Sequence, residues 1–333
     1  MKINFFFRKS FENGNFSIER VFSDVADGIQ DRFQVEKVVV PFYTKGLFKR
    51  LLNICWAPFF QGDINHITGD IHYIAILLRK KCTIVTIPDC AILRRSKGLK
   101  KFIYFLFWYL IPFYRASFVT TISEFSKSEI IFYLKCNPNK IRVIYCPVSR
   151  IFKSSIRQFR IKNPVILIIG TAENKNINRC IQAIDGINCE LRIVGSITKE
   201  QESFLNSSSI IYSTISNIDN LMMYKQYVEC DLLLFASTYE GFGLPIIEAQ
   251  SVGRPVVTSN FGSMLEVAGD SACLVDPYDT NSIRAGILRV INDVEYRLKL
   301  VRLGFVNIKK YSIELISNDY VSLYDEVLDT KKV

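Results

Sequence analysis

The sequence has no apolar run long enough to cross a lipid bilayer and no pattern typical of a secreted protein. Its longest apolar run, residues 102–114, contains Pro112 and falls short of the roughly 20 residues that a spanning helix needs. The nine cysteines are scattered, with no pair at metal-ligand spacing and nothing like a signal peptide before them. We therefore expect a cytoplasmic protein whose cysteines are reduced and mostly buried.

Acidic residues are scarce in the first half of the chain. Residues 1–163 hold 27 Lys and Arg against 11 Asp and Glu, whereas residues 164–333 hold 15 against 21. The surplus positive charge therefore lies in the first half, which predicts an anionic partner for that half. The 333 residues are also enough for two globular domains.

Short apolar runs alternate with longer amphipathic segments in both halves, which is the pattern of α/β folds with helices on both faces of a parallel sheet. Strands are predicted in the first half at residues 2–7, 37–40, 64–67, 83–87, 118–122 and 141–144, and in the second half at 165–169, 191–194, 232–235, 255–258 and 272–275. The pattern therefore predicts two Rossmann-like, doubly wound sheets in series.

A polar and basic stretch between Pro147 and Pro164 separates the two predicted sheets. We place the boundary within it, which gives a first domain at 1–155 and a second at 156–310. Residues 311–333 are expected to form a last helix that packs back on the first domain.

Two helices are predicted near the end of the chain. The last one covers residues 313–328 and follows Ser312, a suitable N-cap. Before it, apolar residues recur every three to four positions and predict one surface helix with a single buried stripe, made of Ile283, Ile287, Ile291, Val294, Leu298 and Val301.

Residues 237–249 form the segment whose residue types point most clearly to ligand binding. It follows an apolar strand, turns on two glycines and starts a helix with Pro245 in its first turn, where proline is favoured. Glycines allow a close backbone approach, and the free N–H groups of a helix start bind an anion such as a diphosphate. Glu240 and Glu248 can then both accept hydrogen bonds from a polyhydroxylated ligand. The simpler alternative for Glu248 is a capping role in a common strand-turn-helix unit.

The Glu240 to Glu248 spacing, with Glu-Gly-Phe-Gly-Leu-Pro inside it, resembles the donor signature of family 4 (group 1) glycosyltransferases, enzymes of GT-B fold. The resemblance extends over essentially the whole second half, through residues 169–176, 191–195, 250–260, 266–270 and 274–277. It implies two Rossmann-like domains that face each other across a cleft. It also implies transfer of a sugar from a nucleotide diphosphate with retention at the anomeric carbon, without a cofactor or an obligatory metal.

The resemblance assigns roles to individual residues of the second domain. Lys175 is expected to be the cation on the donor diphosphate, Glu240 to contact the transferred sugar, and Glu248 to accept from the ribose hydroxyls. Thr171 stands where many relatives carry an arginine, so Lys175 and the helix start are expected to carry more of the phosphate contact. Predicted catalytic residues are Glu240 and Lys175, and predicted donor-binding residues are Thr171, Lys175, Gly241, Phe242, Gly243, Leu244 and Glu248.

The first half resembles bacterial polysaccharide-assembly members of the same family at residues 13–20, 66–73 and 121–127. One position departs from the family pattern. Where relatives read Thr-Ile-His-Asp-Cys, this chain has Pro88, which can neither donate a hydrogen bond nor transfer a proton. The predicted acceptor-side residues are Asn15, His66 and Asp89, and a purely structural role for His66 is an equal alternative.

Residues 45–60 and 94–109 combine basic with bulky apolar side chains. Such segments are typical of core helices with solvated basic ends, but two of them in the basic half favour docking on an anionic bilayer. We therefore expect a lipid-diphosphate-linked or oligosaccharide acceptor at the inner face of the cytoplasmic membrane.

The sequence thus predicts a retaining, metal-independent glycosyltransferase of polysaccharide, O-antigen or lipopolysaccharide biosynthesis. A sugar-nucleotide epimerase of the same fold is one alternative, and Pro88 allows a catalytically degenerate scaffold as another. A basic nucleic-acid-binding protein would bind DNA or RNA in a strongly salt-sensitive way. No nucleic-acid partner is expected, because nothing in the chain resembles a nucleic-acid-binding motif.

Overall fold

The computed structural model describes residues 1–9 and 17–330. The chain forms two compact units, the first made of Met1–Pro147 with Ser312–Val333 and the second of Val148–Tyr311. Each unit is built on a six-stranded sheet in which neighbouring strands run parallel.

The sheet of the first unit has the order β2-β1-β3-β4-β5-β6. Its strands are β1 (Lys2–Phe7), β2 (Gln34–Val39), β3 (Ile64–Ile67), β4 (Thr83–Thr86), β5 (Phe118–Thr121) and β6 (Ile141–Val143). The helices between them are α1 (Ser17–Ile29), α2 (Leu47–Trp56), α3 (Ala91–Arg95), α4 (Gly98–Tyr104), α5 (Ile111–Arg115) and α6 (Glu124–Leu134). Because the strand order reverses between β1 and β3, a crevice for ligands is expected beyond the carboxyl ends of those strands.

The sheet of the second unit has the order β12-β11-β10-β7-β8-β9. Its strands are β7 (Val165–Ile169), β8 (Glu190–Val194), β9 (Ile211–Ile215), β10 (Leu232–Phe235), β11 (Val256–Ser259) and β12 (Cys273–Val275). Its helices are α7 (Ile177–Ile184), α8 (Lys199–Ser207), α9 (Asn220–Glu229), α10 (Leu244–Val252), α11 (Gly262–Ala268), α12 (Thr280–Asn292) and α13 (Val294–Asn307). This is the strand order of a dinucleotide-binding Rossmann sheet, and its reversal point lies between β7 and β10.

The predicted strands are confirmed, with ends that shift by a few residues, but β9 was not predicted. Its residues Ile-Tyr-Ser-Thr-Ile are exposed or half-buried at the edge of the sheet. The central strands of a parallel sheet are buried on both faces and therefore form continuous apolar runs. The edge strand β9 lacks that signal.

The single helix predicted from the apolar stripe is wrong, because the structure has two helices there. Asp293 ends α12 and caps α13, with its side chain accepting a hydrogen bond from the Tyr296 N–H. Ile283 and Ile287 are buried on α12, whereas Leu298 on α13 is 54% exposed. A carboxylate N-cap thus interrupts a periodicity that looked continuous in the sequence.

The last helix, α14 (Ile313–Asp329), begins as predicted after Ser312, whose hydroxyl accepts a hydrogen bond from the Leu315 N–H at 3.3 Å. It contributes to the first unit, where it packs on α1 and buries Tyr320 and Tyr324 against Phe22 and its neighbours. The first unit is therefore assembled from both ends of the chain.

The boundary between the units lies at Pro147, earlier than the predicted residue 155. Phe152 packs edge-on against Tyr227 of the second unit, with 5.5 Å between the ring centroids. Further along, Arg160 forms an ion pair at 2.8 Å with the buried Asp231, which precedes β10. Polar composition suggested a linker, but these side chains hold the segment on the second unit.

Candidate functional site

Two loops meet at the reversal point of the second sheet. One follows β7 and covers residues 170–176, and the other follows β10 and covers residues 237–243. The backbone N–H of Thr238 donates to the Asn174 carbonyl at 2.8 Å, and the Asn174 side chain donates to the Tyr239 carbonyl at 2.9 Å. We call this pair of loops the two-loop site.

Lys175 and Glu240 form an ion pair at the centre of the two-loop site. The Lys175 Nζ lies 2.7 Å from the Glu240 Oε1, and Asn174 donates to the same oxygen at 3.2 Å. Both charged side chains remain partly accessible, at 18% and 15%. The structure therefore brings the two predicted catalytic residues together, 65 positions apart in sequence.

Gly170 makes room for the Lys175 side chain. Its φ of +85° is in the region that favours glycine, and a Cβ at this position would lie 2.8 Å from the Lys175 Cε. The Lys175 side chain therefore packs directly on the backbone of Gly170, which helps to orient its ammonium group.

The start of α10 lies next to the same lysine. The Lys175 ammonium sits 4.6 Å from the centroid of the Phe235 ring, and that ring is 3.7 Å from the position of a Cβ on Gly243. Gly243 has a φ of +109° and Pro245 occupies the first turn of α10. The cation and the free N–H groups of a helix start thus share one aromatic neighbour, an arrangement suited to an anion.

Glu248 lies inside α10 and is 4% exposed. Its Oε2 accepts a hydrogen bond from the Tyr227 hydroxyl at 2.7 Å, and Tyr227 on α9 is itself fully buried. Glu248 is therefore an internal helical residue oriented by a tyrosine, not a cap of the helix end. No local sequence pattern points to Tyr227, because its contact with Glu248 depends on how α9 packs beside α10.

The other predicted donor-binding residues line the two-loop site in different ways. The Thr171 hydroxyl donates to the Ser196 carbonyl at 2.7 Å, so the side chain is engaged within the protein. Gly241, Gly243 and Leu244 belong to the turn and the first residue of α10. Phe242 is buried and packs edge-on against Tyr311, so it anchors the turn from beneath.

The first unit has a cavity of about 250 Å³ at the reversal point of its own sheet. The residues that follow β1, β3 and β4 line it, together with two consecutive aromatic residues of a π-helical turn, Phe105–Leu110. The polar and aromatic lining includes Arg8, Asp70, His72, Pro88, Asp89 and Trp108.

Asp89, a predicted acceptor-side residue, lines this cavity. Its Oδ1 accepts a hydrogen bond from the Ala91 N–H at 2.8 Å, and its carbonyl accepts one from the Tyr109 hydroxyl at 3.1 Å. Pro88 lies beside it and offers the cavity no hydrogen-bonding side chain. His72, to which the sequence assigned no role, lines the same cavity.

His66 is a structural residue of the core rather than a cleft residue. It is fully buried, its Nδ1 lies 2.8 Å from the Tyr324 hydroxyl, and its Nε2 lies 2.7 Å from the Thr86 hydroxyl. Burial lowers the pKa of His66 to about 3, so the ring is neutral. Asn15, the remaining predicted acceptor-side residue, lies outside the described residues.

Large apolar side chains are exposed on the first unit within the two basic segments. The most accessible are Leu47, Phe48, Phe59, Leu99 and Phe102, each between 59% and 84% exposed. Lys45, Lys49, Lys97 and Lys100 are exposed beside them. In the second segment Trp108 and Tyr109 are buried, so that segment has an inner and an outer set of aromatic residues.

In the part of the chain that the structure describes, no group of three or more His, Cys, Asp or Glu side chains is arranged to hold a metal ion. No helix among those residues combines the length and the apolar character needed to span a bilayer.

Comparison with known proteins identifies the second unit. Residues 150–304 match the family described as glycosyl transferases group 1, and this range contains both loops of the two-loop site. The match covers somewhat less than half of the chain and concerns the second unit. O-antigen chain mannosyltransferase B from Escherichia coli is 29% identical over 230 residues, which are 63% of this chain and 60% of that relative. The aligned region thus spans less than two thirds of the relative's length.

Solved structures identify the fold of both units. Sucrose-phosphate synthase from Thermosynechococcus elongatus has a TM-score of 0.80 at 16% identity, over 99% of each chain. HepE from Anabaena, solved in complex with UDP-glucose, has a TM-score of 0.76 at 16% identity, over 98% of this chain and 100% of that one. The predicted GT-B fold, made of two Rossmann-like units, is confirmed.

Proposed function

We propose that the chain is a glycosyltransferase that moves a sugar from a nucleoside diphosphate donor to a saccharide acceptor during surface-polysaccharide or O-antigen synthesis. The observation that carries this proposal is the Lys175–Glu240 pair beside the start of α10, within a group 1 glycosyltransferase domain. The name of the Escherichia coli relative supports the O-antigen context and makes mannose the first sugar to test.

In this proposal the diphosphate of the donor binds Lys175 and the first N–H groups of α10. As the glycosidic bond to the diphosphate breaks, negative charge collects on the phosphate oxygens, and a preorganised cation with helix N–H groups stabilises it. The donor must compete with Glu240 for the lysine, because the two side chains are paired at 2.7 Å. Glu240, once released, accepts hydrogen bonds from the hydroxyls of the transferred sugar.

Glu248 is proposed to accept hydrogen bonds from the donor ribose. Its burial and the hydrogen bond from the Tyr227 hydroxyl give the carboxylate a fixed orientation, which supports a defined contact with the donor. Positive protein groups take the place of a divalent cation in this scheme, and the configuration of the anomeric carbon is retained. Addition of EDTA should leave turnover unchanged, and NMR of the product should show the donor's anomeric configuration.

The acceptor is proposed to be a lipid-diphosphate-linked saccharide, presented at the inner face of the cytoplasmic membrane. The exposed apolar residues of the first unit, flanked by lysines, support docking on an anionic bilayer. The cavity with Asp89 in its lining supports a saccharide site in the same unit.

The proposal is tested by thermal unfolding with a panel of sugar nucleotides, starting with GDP-mannose and UDP-glucose. A donor at 100 times its Kd should stabilise the protein by about 2.7 kcal/mol. Lys175→Ala should abolish this shift and lower transfer at least a hundredfold, whereas Lys199→Ala, which removes an exposed lysine from α8, should change neither.

Two results would contradict the proposal. If every sugar nucleotide left the unfolding temperature unchanged, the chain would be a degenerate scaffold, as Pro88 allows. If the donor were isomerised without any acceptor, the chain would be an epimerase of the same fold.

A further inference from the structure

We propose that Asn174 is a positioning residue of the two-loop site, which holds the Glu240 carboxylate in place after the donor diphosphate has drawn Lys175 away from it. This role rests on the proposed function and adds to it a residue to which the sequence assigned no role. With Asn174 in place, one carboxylate can be paired with a lysine before the donor binds and can accept from sugar hydroxyls afterwards without losing its orientation.

The two oxygens of the Glu240 carboxylate have different surroundings. Oε1 accepts from the Lys175 ammonium at 2.7 Å and from the Asn174 side-chain amide at 3.2 Å. None of the described residues donates to Oε2, and part of the side chain remains accessible. A carboxylate oxygen offers two lone pairs. Oε1 is therefore fully engaged, whereas Oε2 is open to a sugar hydroxyl.

The two donors to Oε1 differ in charge and therefore respond differently to the donor nucleotide. The Lys175 ammonium is a point charge on a flexible stem and is attracted to an anionic diphosphate. The Asn174 amide is neutral, and its hydrogen bonds to phosphate are weaker than those of a cation, so the diphosphate leaves it on the carboxylate. After Lys175 has moved, Asn174 still binds Oε1, and the lone pair that the lysine leaves becomes available to a second sugar hydroxyl.

Asn174 is bonded to the loop that carries Glu240. Its amide nitrogen also donates to the Tyr239 carbonyl at 2.9 Å, and its own backbone carbonyl accepts from the Thr238 N–H at 2.8 Å. A carbonyl and an ionised carboxylate can only accept, so the NH2 group of the amide faces both of them. Three consecutive residues of the loop after β10 are thus bonded to one residue of the loop after β7.

Asn176 anchors the turn that presents Asn174. It is 6% exposed and has a φ of +59°, and its side chain donates to the carbonyls of Ala236 and Pro277 at 3.0 and 2.7 Å. Ala236 directly follows β10, and Pro277 lies just beyond β12. The turn is therefore tied to the edge of the sheet through bonds that do not involve the Lys175 side chain, so Asn174 keeps its place when that lysine moves.

Asn174 should consequently affect one part of the donor and not the other. In the proposed function Lys175 and the start of α10 bind the diphosphate, whereas Glu240 binds the transferred sugar. Asn174 acts on the sugar through the Glu240 carboxylate. Its loss should weaken a sugar nucleotide but not the nucleoside diphosphate of the same base. A residue that merely stabilised the two loops would weaken both ligands together.

The test is calorimetric titration with the sugar nucleotide that stabilises the unmodified protein most and with its nucleoside diphosphate, which is GDP for GDP-mannose and UDP for UDP-glucose. Asn174→Ala should bind the nucleoside diphosphate normally and the sugar nucleotide about tenfold or more weakly, because a hydrogen bond to a charged group is lost. In the Glu240→Ala background it should cause no further loss, because its effect passes through that carboxylate. Asn292→Ala, at the exposed end of α12, is the matched control and should bind both ligands normally.

The inference is overturned if Asn174→Ala weakens both ligands equally, if it weakens neither, or if the losses of Asn174→Ala and Glu240→Ala simply add. Thermal unfolding shows that each variant is folded, and Asn174→Ser, with a side chain that is shorter than asparagine, takes the place of the alanine variant if that one is not. Lys175→Ala is titrated in the same series. If it loses the nucleoside diphosphate while Asn174→Ala behaves like the control, the inference fails and the proposed function stands. If no sugar nucleotide binds the unmodified protein, the proposed function itself has failed, and the role of Asn174 falls with it.

Discussion

At the scale of single residues, the Glu248 carboxylate depends on the Tyr227 hydroxyl, a fully buried group 2.7 Å away. Tyr227→Phe leaves a buried carboxylate oxygen without this donor. We expect a loss of about 1.5–3 kcal/mol in the free energy of unfolding and weaker binding of the donor nucleotide. Urea unfolding followed by circular dichroism, together with calorimetric titration of the nucleotide, measures both. The exposed Tyr278→Phe is the control, and equal stability of the two variants would contradict the expected role.

His66 makes the stability of the first unit depend on pH. Its pKa is about 3 in the folded protein and 6.5 in the unfolded chain. Above pH 6.5 the His66 ring is neutral in both the folded and the unfolded protein, so the protein keeps its full stability with respect to this group. As the pH falls from 6.5 towards 3, only the unfolded chain takes up the proton, so stability is lost by about 1.4 kcal/mol per pH unit.

The measurement compares urea unfolding at pH 7.5 and pH 5.5 for the unmodified protein and His66→Gln. The unmodified protein should lose about 1.4 kcal/mol more than the variant over this interval. Trp56 and Trp108, the two tryptophans of the sequence, both lie in the first unit, so their fluorescence reports its unfolding separately. Identical pH dependence in the two proteins would show that His66 titrates normally.

At the scale of secondary-structure elements, the carboxyl ends of three helices converge on buried arginines in the second unit. Arg254 is 3% exposed and donates to carbonyls at the ends of α9 and α10, including those of Tyr227 and Val228. Arg297 donates to the carbonyls of Val290 and Ile291 at the end of α12. The last carbonyls of a helix have no partner within the helix and carry partial negative charge. An arginine side chain donates hydrogen bonds to them and also neutralises that charge.

Arg254→Leu should therefore destabilise the second unit by about 3 kcal/mol, because several buried carbonyls lose their donor at once. The unfolding transition followed by circular dichroism should shift to lower urea concentration. The transition followed by tryptophan fluorescence, which reports the first unit, should stay at the same urea concentration. Arg302→Leu, an exposed position on α13, serves as the comparison. A fluorescence transition that shifts together with the circular dichroism would refute independent unfolding of the second unit.

Sequence patterns predicted the elements that carry a clear apolar signal and failed where that signal is weak or misleading. The buried strands and the loops after β7 and β10 follow from continuous apolar runs and from glycines. The edge strand β9 and the break at Asp293 do not, because an exposed strand and an N-cap each disturb the expected period. Contacts such as Trp108 with Asp70, 38 positions apart, depend on strand order and helix packing, which no local pattern contains.

At the scale of the whole molecule, the uneven charge distribution predicts binding to membranes. Phe48, Phe59 and Phe102 are highly exposed on the basic first unit. Replacing all three by serine should weaken co-sedimentation with phosphatidylglycerol vesicles about tenfold or more, and raised salt should weaken it further because it screens the lysines. The matched control replaces Leu221, Leu298 and Val306, exposed apolar residues of the second unit. Equal binding by both triple variants would contradict docking through the first unit.

The discontinuity of the first unit also constrains how the chain is made. Its helix α14 is synthesised after the whole second unit, although Tyr320 and Tyr324 complete the packing around Phe22 and His66. At about 5–20 residues per second, translation of the intervening second unit delays this packing by on the order of ten seconds. During that time the nascent first unit exposes an aromatic surface. The second unit is continuous in sequence and waits for no later segment, so it can finish folding before the first unit, although translation of the first unit begins earlier.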